Sequence, residues 1–216
     1  MPDWSAFHFF RRGADLQRSL NRLPHWQQEQ GCLFVTLRLA DSLPARLLEK
    51  WRNERETWTR FHLPPWNQET QHEYHRRFSM QIEHWLDAGY GGCAMKDRCV
   101  SGIVRDVFLH FDGDRYLQHA FVIMPNHAHL LFSLGHGHDL GQVVGSWKSV
   151  SAKRIHRHTG GSGAFWQKDY HDRLVRGPEH FRRVARYLRK NHEESKTALL
   201  WEAPWLQEWL DRGGGH

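Results

Sequence analysis

The chain has 216 residues, of which 39% are hydrophobic and 25% are charged, and its formal net charge is +6. It has no apolar run of about 18 residues, which excludes a membrane-spanning helix, and its first residues lack the basic and apolar regions of a secretory signal. Three cysteines in no metal-binding pattern argue against a disulfide framework and favour a cytoplasmic protein, while the positive charge favours a polyanionic partner.

The N-terminal part of the chain predicts an arm, one strand and a pair of helices. Residues 1–30 are polar and aromatic and indicate an irregular arm. The run of β-branched and apolar residues at 32–39 predicts the first strand. Two charged amphipathic segments, at 42–61 and 68–87, predict helices. We interpret these helices as an insertion, at about residues 43–90, between the first strand and the rest of the core.

The remaining segments predict alternating helices and strands of an α+β fold. Apolar periodicity predicts helices at 97–111, 140–157 and 178–192 and strands at 115–124 and 127–134. This order suggests a ferredoxin-like antiparallel sheet with helices on one face. We expect that core domain to cover residues 31–195. Residues 196–216 form a C-terminal tail whose tryptophans, at helical spacing, predict a helix that docks on the core.

A pair of histidines lies in the most apolar stretch of the chain. His127 and His129 are two residues apart at the start of a predicted strand, so both imidazoles project from one side and could hold one metal ion. A chain with 18 histidines also produces such pairs by chance, as His136 and His138 do in a glycine-rich segment. The spacing alone therefore favours ordinary strand histidines.

The predicted helix at 178–192 places a phenol and an amide on one side. Tyr187 and Asn191 are four residues apart, so they stack beside the buried stripe of the helix, among several arginines. A phenol in a cationic helix is a candidate nucleophile for a phosphodiester. Taken alone, the helix favours an ordinary half-buried tyrosine.

Several motifs stand in a fixed order along the chain. They are residues 34–44, 124–130, 146–148, 165–167, the Asp172-Arg173 pair, Arg176, and residues 187–191. Together they cover roughly residues 23–195. The ordered set resembles the REP-associated tyrosine transposases, a group of the HUH single-tyrosine transposase superfamily.

The resemblance implies a role for each residue at a matching position. His127, His129 and Asn191 are the expected ligands of a divalent metal, Mg²⁺ or Mn²⁺, and Mn²⁺ accepts imidazole more readily. Tyr187 is the expected nucleophile, whereas Tyr170 matches an aromatic but non-catalytic position. The implied activity is cleavage and rejoining of single-stranded DNA at hairpin-forming, REP-like palindromes, through a 5′-phosphotyrosine intermediate.

Basic side chains and one aromatic and amide pair are the candidate contacts to DNA. Each cation taken singly is more simply explained as surface charge, and Trp166 is as well explained as a core residue as by stacking on a base. The candidates are Lys148, Lys153, Arg154, Trp166, Gln167, Arg173, Arg176 and Arg183. The implied protein is a monomer or homodimer that associates with the nucleoid and not with a membrane.

Three other functions compete with this interpretation. The chain could be a hairpin-binding protein that has the fold without catalysis. It could be a metal-dependent hydrolase, with Zn²⁺ on the histidine pair, whose turnover survives loss of Tyr187. A replication initiator or relaxase of the wider HUH group is disfavoured by the small size and by the lack of a second tyrosine on the same helix.

Overall fold

The computed structural model describes residues 7–10, 17–20, 24–63 and 66–212, and it confirms an α+β fold built on an antiparallel sheet. The strands are β1 Gln17–Leu20, β2 Pro24–Gln27, β3 Cys32–Arg38, β4 Tyr116–Ile123, β5 His127–Leu134, β6 His171–Leu174 and β7 Leu199–Glu202. The helices are α1 Ala45–Phe61, α2 Gln68–Tyr74, α3 Met80–Asp87, α4 Arg98–Leu109, α5 Leu140–Thr159, α6 Pro178–Glu194 and α7 Pro204–Asp211. No helix in this described part of the chain is both long and apolar enough to cross a bilayer.

The central sheet has five strands in the order β6-β3-β5-β4-β7, and every neighbouring pair is antiparallel. Strand β5 begins and ends at the predicted residues, and it follows β4 through a tight turn at Pro125 and Asn126. Seven of its eight residues are buried, because strands cover both of its edges and helices cover both of its faces.

Helices pack on both faces of the sheet, which corrects the predicted arrangement on one face. Leu33 and Val35 of β3 alternate with Cys32 and Phe34, and the two pairs belong to different hydrophobic clusters. The first cluster includes apolar side chains of α4 and α5, and the second includes those of α6 and α7. Because β5 carries apolar side chains on both faces, packed helices must shield each face from water.

The predicted insertion forms a helical unit with its own aromatic cluster. Trp51, Trp58 and Phe78 are buried there, and the indole N–H of Trp51 donates to the carbonyl of Phe78 at 3.1 Å. The predicted helix at 68–87 is interrupted by one π-helical turn, His75–Ser79, which separates α2 from α3.

The two ends of the chain differ from their predictions. In the described parts of the arm, β1 and β2 form an antiparallel pair instead of an irregular segment. Part of the predicted tail, β7, pairs with β4 as an edge strand of the central sheet. Trp201 therefore lies on a strand, whereas Trp205 and Trp209 lie on the docked helix α7.

Candidate active site

The two histidines lie side by side on the face of the sheet that α6 covers. Their ring centroids are 4.7 Å apart, and each side chain is almost fully buried. His129 stacks on Phe34, which belongs to the second cluster. The prediction that both imidazoles project from one side of a strand is confirmed by this geometry.

A hydrogen-bond network fixes the tautomer of His127. The amide nitrogen of Asn126 donates to the carbonyls of Leu86 and Tyr90, both at 3.1 Å, so its oxygen must face the imidazole. That oxygen lies 2.8 Å from Nδ1 of His127, which therefore carries the proton. The Nε2 atom of His127 is left with a free lone pair, and it is buried without a hydrogen-bond partner among the described residues.

His129 connects a threonine on the neighbouring strand to the predicted nucleophile. Its Nδ1 lies 2.9 Å from Oγ1 of Thr36, the residue directly opposite on β3. Its Nε2 lies 3.3 Å from the hydroxyl of Tyr187. If Nδ1 donates to the threonine, Nε2 can accept a proton from the phenol. The same nitrogen is the one a metal ion would use.

Helix α6 carries both Tyr187 and Asn191 to this position. Its buried stripe, which includes Val184, Ala185 and Leu188, packs on the sheet and turns the tyrosine toward the histidines. Asn191 is buried, and its amide nitrogen donates to the carbonyl of Tyr187 at 2.8 Å. The amide oxygen of Asn191 is the candidate metal donor on this side of the helix.

The charges around Tyr187 disfavour its ionised form. Burial raises the pKa of the phenol above its usual value, and the carboxylates of Glu83 and Asp87 on α3 raise it further. A hydrogen bond from Asn191 and the positive charge of Arg173 act in the opposite direction. The buried phenol therefore needs additional positive charge near its oxygen before it can act as a nucleophile at neutral pH.

The histidines are held in the neutral form that ligates metals. Burial lowers the pKa of His127 to about 3, and it lowers the pKa of His129 well below the usual value, with the neighbouring imidazole adding to the effect. Both side chains are therefore uncharged at pH 7 in the folded protein.

The site fits a divalent cation in its donor atoms but needs ligands from outside the chain. The two Nε2 atoms and the amide of Asn191 offer two nitrogen donors and one oxygen donor. Within the described residues, no three His, Cys, Asp or Glu side chains cluster closely enough to hold a metal ion. A cation here would therefore keep open positions for phosphate or water, as catalytic sites do.

The structure separates the predicted DNA contacts into different surfaces. Arg173 lies on β6 opposite Phe34, on the face of the histidine pair, and its charge acts on Tyr187. Arg176, on the segment that leads into α6, and Arg183, on α6 itself, are exposed and lie close to Arg173 in sequence. The other three cations, Lys148, Lys153 and Arg154, belong to α5, which packs on the opposite face.

Trp166 and Gln167 have structural partners in place of an exposed base-binding surface. Trp166 is buried in the first cluster, and its indole N–H donates to Oγ of Ser151 at 2.8 Å. The amide nitrogen of Gln167 donates to the carbonyl of Ala40. Of the two explanations for Trp166, the structure supports the core residue, because no ring face is left open to a base. Tyr170 is likewise buried in the first cluster, on the other face from Tyr187.

Three residues of the site were missed by the sequence reasoning. Thr36 and Asn126 each orient one imidazole, and Glu83 places a carboxylate near the phenol. The hydroxyl of Thr36 and the amide of Asn126 stand in apolar, strand-forming segments, and this was a usable signal, because a buried polar side chain requires a hydrogen-bond partner. Nothing in the sequence showed that α3 packs near α6.

The chain is similar to a known protein family and to solved structures. The family described as IS200-like transposases matches residues 113–192, a segment that contains both histidines, Tyr187 and Asn191. A solved structure of a REP-associated tyrosine transposase bound to a REP hairpin has a TM-score of 0.41 and 14% identity, over 80% of this chain and 72% of that chain. None of the curated proteins compared matches the chain.

Proposed function

We propose that the chain is a member of the IS200-like transposases, whose family model matches residues 113–192, and that it cleaves and rejoins single-stranded DNA through a covalent link to Tyr187. The observation that carries the proposal is the 3.3 Å contact between the phenol and Nε2 of His129, beside the neutral His127. It brings a nucleophile and a ligand pair from distant parts of one chain to one place.

The proposed reaction is an in-line displacement at a phosphodiester. The oxygen of Tyr187 attacks phosphorus, the bond from phosphorus to the 3′ oxygen breaks, and a 5′-phosphotyrosine forms while a 3′-hydroxyl leaves. The phenolic proton is lost to the surroundings, and the 3′ oxygen gains a proton. Because the link keeps the energy of a phosphodiester, a later 3′-hydroxyl can reverse the step without ATP.

The residues of the chain contribute orientation and charge. Asn126 contacts Nδ1 of His127, and Thr36 contacts Nδ1 of His129, whose Nε2 lies 3.3 Å from the phenol. Arg173 favours the phenolate and a phosphate beside it. When bound by His127, His129 and Asn191, a Mg²⁺ or Mn²⁺ ion supplies Lewis-acid stabilisation of negative charge at the reacting phosphate.

We propose hairpin DNA with a single-stranded flank as the substrate. A buried phenol reaches phosphorus only if the reacting nucleotide leaves the regular duplex, so a single-stranded junction is required. The net charge of +6 and the exposed Arg176 and Arg183 suit the backbone of such a strand.

The test is detection of the covalent intermediate. A hairpin oligonucleotide with single-stranded flanks, labelled at its 3′ end, is incubated with the protein and Mn²⁺ and run on a denaturing gel. We expect a protein-linked labelled band that is absent in Tyr187→Phe and in the presence of EDTA. Tyr170→Phe is the matched control, because it removes the same hydroxyl from the opposite face of the sheet, and it should keep the band.

Other outcomes of the same experiment point to the competing functions. Hairpin binding without any adduct, with or without metal, would identify a DNA-binding protein that has the fold alone. Hydrolysis of a small ester that persists in Tyr187→Phe would identify a metal-dependent hydrolase. We expect Mn²⁺ to support cleavage at least as well as Mg²⁺, and activity with Mg²⁺ alone would contradict this expectation.

A further inference from the structure

An arginine at the end of β3 lies next to the histidine pair, and nothing above gives it a role. Arg38 is the last residue of the strand, and its Cα is directly opposite that of His127 on β5. Residues opposite each other in an antiparallel pair have their side chains on the same face, about 5 Å apart at Cβ. Arg38 therefore lies on the face that carries both imidazoles.

The guanidinium group of Arg38 is buried and incompletely satisfied. Its relative exposure is only 7%, and its Nε and Nη1 atoms have no hydrogen-bond partner among the described residues. A buried cation without partners costs several kcal/mol, so folded proteins seldom retain one unless a ligand completes it. Folding alone gives no reason for this group to be here.

The neighbouring charges do not neutralise the guanidinium. Asp169 attracts it, but Arg52 of α1 repels it. Burial and Arg52 lower the pKa of Arg38 to about 10, which still leaves the side chain fully charged at pH 7. The backbone is fixed, because the carbonyl of Arg38 accepts from the amide of Gln167 at 2.9 Å.

The vacant donors suit negatively charged oxygen. The N–H groups of Nε and Nη1 point to different edges of the guanidinium, as those of Arg189 do toward Glu202 and Asp211, so each can donate separately to a phosphate oxygen. Nε2 of His127, on the same face, is also buried and without a partner among the described residues. Two unsatisfied groups that lie opposite each other on paired strands point to one shared ligand.

We propose that Arg38 is the phosphate-binding residue of this site, and that a vacant N–H of its guanidinium donates to a phosphate group beside His127. The inference rests on the proposed function, in which this group is the phosphodiester that Tyr187 attacks. Arg38 then orients the phosphorus and offsets charge on its non-bridging oxygens. Free inorganic phosphate offers the same oxygens and binds the same donor more weakly.

The first test needs neither DNA nor metal. Melting temperatures are measured over a series of inorganic phosphate concentrations, at constant ionic strength, for the wild type, Arg38→Gln, Arg38→Lys and Arg98→Gln. Arg98 is an exposed arginine on α4 and serves as the matched control. We expect phosphate to raise the melting temperature of the wild type and of Arg98→Gln, to have at least tenfold weaker apparent affinity for Arg38→Lys, and to have no effect on Arg38→Gln.

The same variants separate a binding role from a structural one. Without phosphate, Arg38→Gln should melt at or above the wild-type temperature, because an unsatisfied buried charge has been removed. If Arg38→Gln melts lower or fails to fold, the guanidinium is satisfied by the fold itself and the proposal is wrong. A phosphate-dependent shift that is equal in the wild type and Arg38→Gln overturns it as well.

The second test distinguishes DNA phosphate from free phosphate and this proposal from the function it rests on. With the labelled hairpin, Arg38→Lys should form the tyrosine adduct at least tenfold more slowly at saturating DNA, whereas Arg98→Gln should match the wild type. If the hairpin shifts the melting temperatures of the wild type and of Arg38→Gln by the same amount, the site binds only free phosphate, and the assignment to DNA phosphate is refuted. If phosphate raises the melting temperature only when Arg38 is present, but the protein never forms an adduct with DNA, the anion site is supported and the proposed nuclease activity is refuted.

Discussion

The side chain of Asn126 joins the helical insertion to His127, the first proposed metal ligand, and its removal is the sharpest test of the site. The side chain is 1% exposed and makes three hydrogen bonds, one with Nδ1 of His127 and two with the carbonyls of Leu86 and Tyr90. At about 1 kcal/mol for each bond, Asn126→Ala should lower the free energy of unfolding by about 3 kcal/mol. For a chain of this size, that corresponds to a fall of about 9 °C in melting temperature.

The same substitution should weaken metal binding independently of stability. Without the amide oxygen, His127 is free to change tautomer and ring orientation, and loss of such a supporting contact typically costs 10- to 100-fold in metal affinity. Urea denaturation measures the first effect, and calorimetric titration with Mn²⁺ under fully folding conditions measures the second. Asn53→Ala on the exposed side of α1 is the control and should change neither quantity appreciably.

The reasoning about Asn126 fails if the loss of stability in Asn126→Ala is below about 1 kcal/mol, since three buried hydrogen bonds cannot then be present. It also fails if Mn²⁺ binds the variant and the wild type with equal affinity. In that case His127 does not depend on the amide for its orientation, or does not ligate the cation.

Three further predictions follow from single contacts. Thr36→Val removes the partner of His129 Nδ1 at nearly constant side-chain shape, so the affinity for Mn²⁺ should fall about tenfold and the free energy of unfolding by about 1 kcal/mol. Equal Mn²⁺ affinity of the variant and the wild type in a titration would contradict this prediction. Arg189→Met leaves the buried carboxylate of Glu202 without its two hydrogen bonds, so urea denaturation should show that the free energy of unfolding falls by about 2 kcal/mol. Adding Glu202→Gln removes the unpaired charge, and the double variant should recover part of that stability. Burial lowers the pKa of His119 to about 3, so as pH falls below about 6.5 the imidazole is protonated in the unfolded chain before it is protonated in the folded protein. With each pH unit, the free energy of unfolding should fall by about 1.4 kcal/mol more in the wild type than in His119→Leu. Equal slopes for the two proteins would show that the imidazole titrates in the folded state.

Local periodicity was sufficient to predict the parts of the site that lie within one element. The alternation of β5 placed His127 and His129 on one face, and the spacing of a helix placed Tyr187 above Asn191. The contact between the two pairs could not be derived from spacing, because it depends on which face of the sheet α6 covers. The resemblance to a family, and not the periodicity, connected them.

The parts that could not be predicted depend on register and docking between distant segments. Arg38 and Thr36 lie opposite His127 and His129 only because β3 pairs with β5 in one particular register. The influence of Glu83 on the phenol requires the insertion to pack near α6. Trp166 illustrates the opposite difficulty, because an indole beside a cationic segment has the same sequence signature in a core as on a binding surface.

The contact between Tyr187 and His129 lies within one chain, which bears on how strands would be rejoined under the proposed function. Between Tyr187 and Asn191, on another side of the same helix, Arg189 forms ion pairs with both Glu202 and Asp211. The helix that carries the proposed nucleophile is therefore tied to β7 and α7. If the proposal holds, the phenol and both imidazoles of one copy meet without a second protomer, and resealing would occur where the break was made.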